Sequence, residues 1–126
     1  MGADIISPVK KAHIICDFYK AEPEILAKAD LLKESILRAL GLFKIEVEIN
    51  TFYQFEPYGV TALVTSPELH FNIHTWPEHA SCAIDMYCME GNQYGVKVCE
   101  ELKKQFKADE YQIKVLKRDK KLKASN

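Results

Sequence analysis

Leu69-His70-Phe71-Asn72-Ile73-His74-Thr75-Trp76-Pro77-Glu78 is the stretch on which the reading of this chain turns. Leu69, Phe71, Ile73 and Thr75 alternate with His70, Asn72 and His74, the period of a β-strand with one buried face. Pro77 has no N–H for a sheet ladder, so the strand should end near Trp76. The polar face carries two imidazoles and an amide, where a solvated strand would carry lysines and glutamates. It suits a polar or aromatic ligand.

The flanks extend the pattern in both directions. Ser66-Pro67-Glu68 reads as a turn, preceded by a short strand over Val60–Thr65 whose partner should be the strand before it. Pro57-Tyr58-Gly59 is a second turn. Ile45, Val47, Ile49, Thr51 and Tyr53 alternate with Glu46, Glu48 and Asn50, which predicts a strand with the first set buried. Ile25, Ala29, Leu32, Ile36 and Leu40 fall on one face of a helix that opens at Pro23 and should stop at Gly41. His13–Tyr19 is β-branched and aromatic enough for a first strand. Downstream, Ser81–Met89 is another apolar run. Asn92 can cap a second helix with Val96, Cys99, Leu102 and Phe106 as its buried stripe and Glu100–Lys104 as a surface pair. Tyr111, Ile113 and Val115 mark a last strand. The order β-α-β-β-β-β-α-β, with short turns between neighbouring strands, predicts a two-layer α+β sandwich: an antiparallel sheet with both helices on one face.

A chain of 126 residues with 48% hydrophobic and 28% charged residues is long enough for one domain with a core, spanning 1–126. Residues 1–11 and 118–126 are expected to be a loose leader and a basic tail. A formal net charge of −1 gives no reason to expect nucleic acid or an acidic membrane as partner. No apolar run approaches membrane-spanning length. Cys16, Cys82, Cys88 and Cys99 show no C-x-x-C pairing, which fits reduced thiols in a cytoplasm. Cys82 and Cys99, inside apolar runs, read as buried small hydrophobes.

Two histidines four apart raise a metal site, and geometry counts against it. On a strand His70 and His74 would lie roughly 13 Å apart, while each must approach a zinc ion to about 2 Å. No metal is expected.

The sequence His74-Thr75-Trp76-Pro77-Glu78 resembles the HTWPE signature of bacterial and archaeal S-adenosylmethionine decarboxylases, the pyruvoyl enzymes of spermidine synthesis. Thr51-Phe52, Phe55 and Pro57-Tyr58-Gly59-Val60 upstream, and Ala83-Ile84-Asp85 downstream, stand at that family's spacing, and the Phe18-Tyr19 opening is similar. The resemblance covers roughly residues 12–117. It implies an α/β sandwich assembled as a homodimer, with active sites near the subunit interface. It also implies a chain that cuts itself before a serine. The serine oxygen attacks the preceding carbonyl, the amide becomes an ester, and elimination leaves an N-terminal pyruvoyl group. That group binds the substrate amine as a Schiff base and takes up the electrons released with CO₂, and a cysteine protonates the carbanion.

This chain departs from the pattern at two chemical positions. Glu68 matches the residue before the scissile bond and His70 the residue after the serine, but the serine's own place is held by Leu69. An isobutyl group has no nucleophilic atom with which to begin the acyl shift. The proton-donor cysteine's position is Met89, a thioether with no proton to give. Its neighbour Cys88 could serve only through a slip or bulge at the strand end. Ser66 lies three residues early, on the opposite face of an extended chain, with Pro67 after it. Other matches are kept. Thr61 retains a hydroxyl where the family has a processing serine, and His74 resembles the histidine that assists the ester step. Phe55, Trp76 and Glu78 match positions lining the nucleoside pocket, where an aromatic face stacks adenine and a carboxylate accepts ribose hydroxyl protons. Core packing for the aromatics and an exposed turn for Glu78 are the competing readings.

Three readings follow. In the first, the chain is a non-self-processing member without the pyruvoyl cofactor, binding S-adenosylmethionine or a related nucleoside, or pairing with an active paralogue. In the second, it is an active decarboxylase that matures by atypical cleavage and recruits Ser66 and Cys88. In the third, it is a structural dimer without ligand. The first is preferred, because it accounts for two lost reactive groups beside a retained pocket.

Overall fold

The computed structural model describes residues 11–89 and 92–118. The central alternation is a strand, β4 (Leu69–Trp76), ended by Pro77 as expected and followed by a 3-10 turn at Pro77–His79. Before it stand β1 (Ala12–Tyr19), α1 (Pro23–Ala27), α2 (Ala29–Leu42), β2 (Ile49–Gln54) and β3 (Val60–Thr65). After it come β5 (Ser81–Cys88), α3 (Asn92–Gln105) and β6 (Glu110–Lys117). The strands form one sheet in the order β2-β3-β4-β5-β1-β6, every neighbouring pair antiparallel. All helices lie on one face, so the architecture is the predicted α+β sandwich.

The core fills the space between sheet and helices. Ile14, Cys16 and Phe18 of β1 and Phe71 and Ile73 of β4 meet Leu26, Leu32 and Ile36 of α1 and α2, and Leu102 of α3. Phe18 and Phe106 pack edge to face with ring centroids 5.8 Å apart. Each such side chain contributes about 1.5–3 kcal/mol by leaving water. Gly95 is the point of closest approach between α3 and the sheet. A Cβ there would lie 2.3 Å from Cys88 Sγ and 2.6 Å from Ile14 Cδ1.

Three details differ from the sequence-based expectation. The single helix over 23–40 is two helices, broken at Lys28, which adopts φ −121° and ψ 136°. The buried residue of α1 is accordingly Leu26, with Ile25 only partly covered. Gly41 does not stop α2. The helix runs on to Leu42, and the left-handed position is filled by Lys44 at φ 57°. The Ile45 N–H donates to the Leu40 carbonyl and the Lys44 N–H to that of Gly41, a Schellman motif that buries Ile45 as its apolar contact. α3 ends the same way. Lys107 sits at φ 55° and the Ala108 N–H donates to Lys103.

The third difference concerns β2. Ile45 is buried and Val47 half-buried, but both precede the strand, which begins at Ile49. Within it Phe52 and Gln54 turn toward the helices, while Ile49 and Tyr53 are 59% and 61% exposed. The expected buried face is the open one. The irregular residues before Ile49 shift the phase by one, and an edge strand with apolar residues on both faces gives alternation no means of telling which is covered. Near the ends of the described chain, Arg118 N–H donates to the Lys11 carbonyl. The rest of the expected leader and tail, and the Asn92 cap, lie outside the described side chains. No ion pair joins Glu100 and Lys104. Gln105 instead donates to Glu101 at 3.0 Å.

Candidate functional site

The sheet face away from the helices is uncovered. Its register sets side chains in rows across the strands. One row runs Tyr53, Thr61, His74, Ala83, Asp17, and the next Thr51, Leu63, Asn72, Asp85, Ile15. Thr61 Oγ1 and His74 Nδ1 are hydrogen-bonded at 3.0 Å, the direction set by the imidazole tautomer. They line a shallow cavity of about 390 Å³ with Tyr53, Leu63 and Asn72. Asn72 Oδ1 is buried there without a hydrogen-bond partner among the described residues. Trp76 extends the same face, its ring 6.3 Å from that of His74, and Phe55 packs edge-on against Tyr53 at 4.8 Å. Both aromatics are close to half exposed. This answers the competing reading of core packing: they form a rim, outside the core.

Glu78 stands apart from that cavity. It lies in the 3-10 turn and lines a separate groove of about 310 Å³ with Tyr58, Pro77 and Pro23, Glu24 and Ala27 of α1. Thr61 and His74 of the first depression and Tyr58 and Pro77 of the second flank the same end of β3 and β4. A Cβ on Gly59, whose φ is +107°, would lie within 4.0 Å of Pro77 Cδ, Phe55 Cβ and the Thr75 carbonyl.

The remaining predicted residues sit elsewhere. Leu69 is 1% exposed and points into the core on the helix side of β4, five residues and one face away from His74. Its backbone belongs to a closed hairpin. The Ser66 N–H and Oγ donate to the Leu69 carbonyl at 2.9 and 3.0 Å, and the Leu69 N–H donates back to Ser66 Oγ at 3.2 Å. The Met89 N–H donates to the Glu68 carbonyl at 3.0 Å. Ser66 is fully buried with its hydroxyl engaged by Leu69. Glu68 Oε1 is buried with no partner among the described residues. Cys88, opposite Leu69 on β5, faces the core beneath Gly95. Burial first, and then Cys99, push its thiol up to about 11, against a smaller lowering by the Gly95 N–H. It is on the wrong face to meet His74, and a thiol so raised is a poor acid. All four cysteines are buried and unpaired. Among the described residues no three His, Cys, Asp or Glu side chains are placed to hold a metal.

Gln54 escaped the sequence reading. Its amide joins α1, α2 and the Phe55–Gly59 loop through four hydrogen bonds. Thr75 did carry a signal, a hydroxyl on an otherwise apolar face. It donates to the Leu26 carbonyl and accepts from the Val60 N–H, both at 2.8 Å.

A six-stranded antiparallel sheet backed by helices, with a Thr–His pair and a rim of aromatics on its open face, defines an α+β sandwich of the adenosylmethionine decarboxylase fold. The same fold is found in the Aquifex aeolicus adenosylmethionine decarboxylase, with a TM-score of 0.81 and 23% identity over 95% of this chain and 99% of that one. The monomer of a Trypanosoma brucei AdoMetDC matches at 0.60 and 16% identity over 82% of this chain and 45% of that one. Sequence similarity carries the assignment further. Residues 12–119 match the S-adenosylmethionine decarboxylase family profile. The chain is 34% identical over 96 residues to the S-adenosylmethionine decarboxylase proenzyme of Thermotoga petrophila, covering 76% of this chain and 74% of that one. It is 31% identical over 106 residues to that of Thermococcus kodakarensis, covering 84% and 74%. This chain belongs to the S-adenosylmethionine decarboxylase family, the decarboxylases of polyamine biosynthesis.

Proposed function

We propose that this chain is a non-self-processing member of the family, without a pyruvoyl group, that forms a homodimer and binds S-adenosylmethionine or a related nucleoside, or pairs with an active paralogue and regulates it. The observation that carries the reading is residue 69. The place of the attacking oxygen is taken by a leucine built into the core, while the Thr61–His74 pair is intact. The donors around the hairpin do not fit a pyruvoyl group. Leu69 has no hydroxyl, Ser66 spends its own on the Leu69 backbone, and Met89 holds no proton at sulfur.

The open face supports pairing. Ile49, Tyr53, Leu63, Trp76 and Leu116 are all exposed on it, and large apolar side chains gathered on one face favour an interaction surface. A second family member presenting the same face would cover it. Among the described residues no helix is long and apolar enough to cross a membrane, and buried unpaired thiols fit a reducing cytoplasm.

Intact-mass spectrometry under reducing conditions is the first test. A single species at 14.4 kDa is expected. Two fragments, the C-terminal one blocked to Edman degradation, would overturn the reading in favour of atypical maturation. Thermal melting with S-adenosylmethionine tests the pocket. Ligand at about 100 times its Kd adds about 2.7 kcal/mol to the native state, and no shift at millimolar ligand leaves only a structural dimer.

A further inference from the structure

The break at Lys28 has no local cause. Ala27, Lys28 and Ala29 are all strong helix formers, with neither proline nor glycine among them, and the apolar spacing runs straight through them. Local preference favours one continuous helix, yet Lys28 is extended. The Ala27 carbonyl and Ala29 N–H are thereby left outside both helices and need partners.

Both are taken by one side chain from the far edge of the sheet. Gln54 Oε1 accepts from the Ala29 N–H at 2.6 Å, and Nε2 donates to the Ala27 carbonyl at 2.9 Å. The same nitrogen lies 3.0 Å from the Phe55 carbonyl and 3.1 Å from that of Gly59. A carboxamide has two hydrogens, so three carbonyls converge on two. The Gly59 N–H donates to the Ala27 carbonyl at 3.0 Å, and Lys28 Nζ donates to that of Pro57 at 3.1 Å. The helix break and the Phe55–Gly59 loop are therefore one hydrogen-bonded unit. Its rim carries Phe55 and Tyr58, and Ala27 with Tyr58 forms a wall of the groove that holds Glu78.

We propose that Gln54 is the positioning residue of the nucleoside pocket: it holds α1 and α2 apart against their own helical preference and so fixes the loop that presents Phe55 and Tyr58. A conflict between local preference and tertiary structure, maintained at the rim of a groove by one side-chain amide with the Gly59 N–H and Lys28 Nζ beside it, is what a binding site retains for geometry at the expense of stability. Coupling is reciprocal, so a ligand that needs the broken form must also stabilise it. The affinity arm of the test rests on the nucleoside reading above, and the exchange arm does not.

Gln54→Ala, Gln54→Glu and the double variant Gln54→Ala/Lys28→Gly are compared with the parent chain at a temperature where circular dichroism shows each folded. Hydrogen exchange is followed at the Ala29 and Gly59 amides against Ile73 and Ile84 in the central strands, and S-adenosylmethionine affinity by calorimetry. In Gln54→Ala both loop amides should exchange faster while the strand amides keep their rates, and affinity should fall about tenfold or more. Glutamate keeps the acceptor for Ala29 but sets a carboxylate against three carbonyls, so Gly59 should open while Ala29 stays protected. Glycine at 28 weakens the competing continuous helix by about 1 kcal/mol and should restore part of the affinity, a rescue that lost packing would not show. Affinity within about twofold of the parent in both single variants overturns the proposal. If the parent itself fails to bind, the nucleoside reading falls. Gln54 is then judged on exchange alone, and unchanged Ala29 and Gly59 amides overturn it.

Discussion

Position 69 shows how much one side chain decides. A serine there would place a nucleophile next to the Glu68 carbonyl, and that carbonyl is still held by the Met89 N–H. Leucine supplies core packing instead. Leu69→Ser should cost about 3 kcal/mol, within the range for emptying a buried leucine site, and thermal melting will measure it. The variant is also expected to stay a single chain by mass spectrometry, because its hydroxyl would enter the helix-side layer while His74 faces the other way. Returned cleavage would mean that the leucine alone had blocked maturation. Cys88 yields a pH prediction. Its folded pKa, about 11, lies above the unfolded value of 9.0. Between these values the unfolded chain releases a proton that the folded chain retains. The stabilisation is thus complete below pH 9 and is lost as pH rises toward 11. Urea unfolding at intervals across that window should show stability falling, and Cys88→Ala should make the fall shallower.

Among the elements, α3 and the helix ends invite opposite substitutions. Gly95→Ala forces a Cβ into Cys88 Sγ and Ile14 Cδ1. Overpacking should cost about 1–3 kcal/mol and outweigh alanine's advantage in a helix of up to about 1 kcal/mol. Adding Cys88→Ala should recover part of the loss, since one of the two clashing atoms is removed. Lys44 and Lys107 hold left-handed positions that glycine fills without steric cost. Lys44→Gly and Lys107→Gly should each stabilise by about 0.5 kcal/mol, a fraction of the left-handed penalty, and the two should add in a denaturant titration because they close different helices.

At the scale of the whole molecule, one sheet face is covered by helices and the other is open, and the proposed pairing is tested on the open one. If the open face meets its own kind, a lysine at the centre of that contact is costly, whereas on an isolated subunit it would be neutral. Leu63→Lys is therefore expected to leave the fold and melting of the subunit intact while converting a dimer into a monomer in sedimentation velocity. A parent chain that already sediments as a monomer would remove pairing from the proposed function.

The succession of strands along the chain, the end of β4 at Pro77 and the family membership were legible in the sequence, because alternation, proline and a contiguous motif are properties of neighbouring residues; the sheet order, with β1 between β5 and β6, was not. The motif singled out Thr61 and His74, and the structure sets the two side chains in hydrogen-bond contact on the open face. The sequence by itself determined which strands form and that residue 69 is a leucine, with no nucleophilic atom in its side chain. Only the tertiary structure decided which face of β2 is covered and where the first helix breaks. Each of these depends on partners distant in the chain. Helices lie over one side of the sheet and not the other, and Gln54 crosses 25 residues to reach the Ala29 amide. Local pattern carries periodicity, and the choice between two equally periodic faces is made by what packs against them.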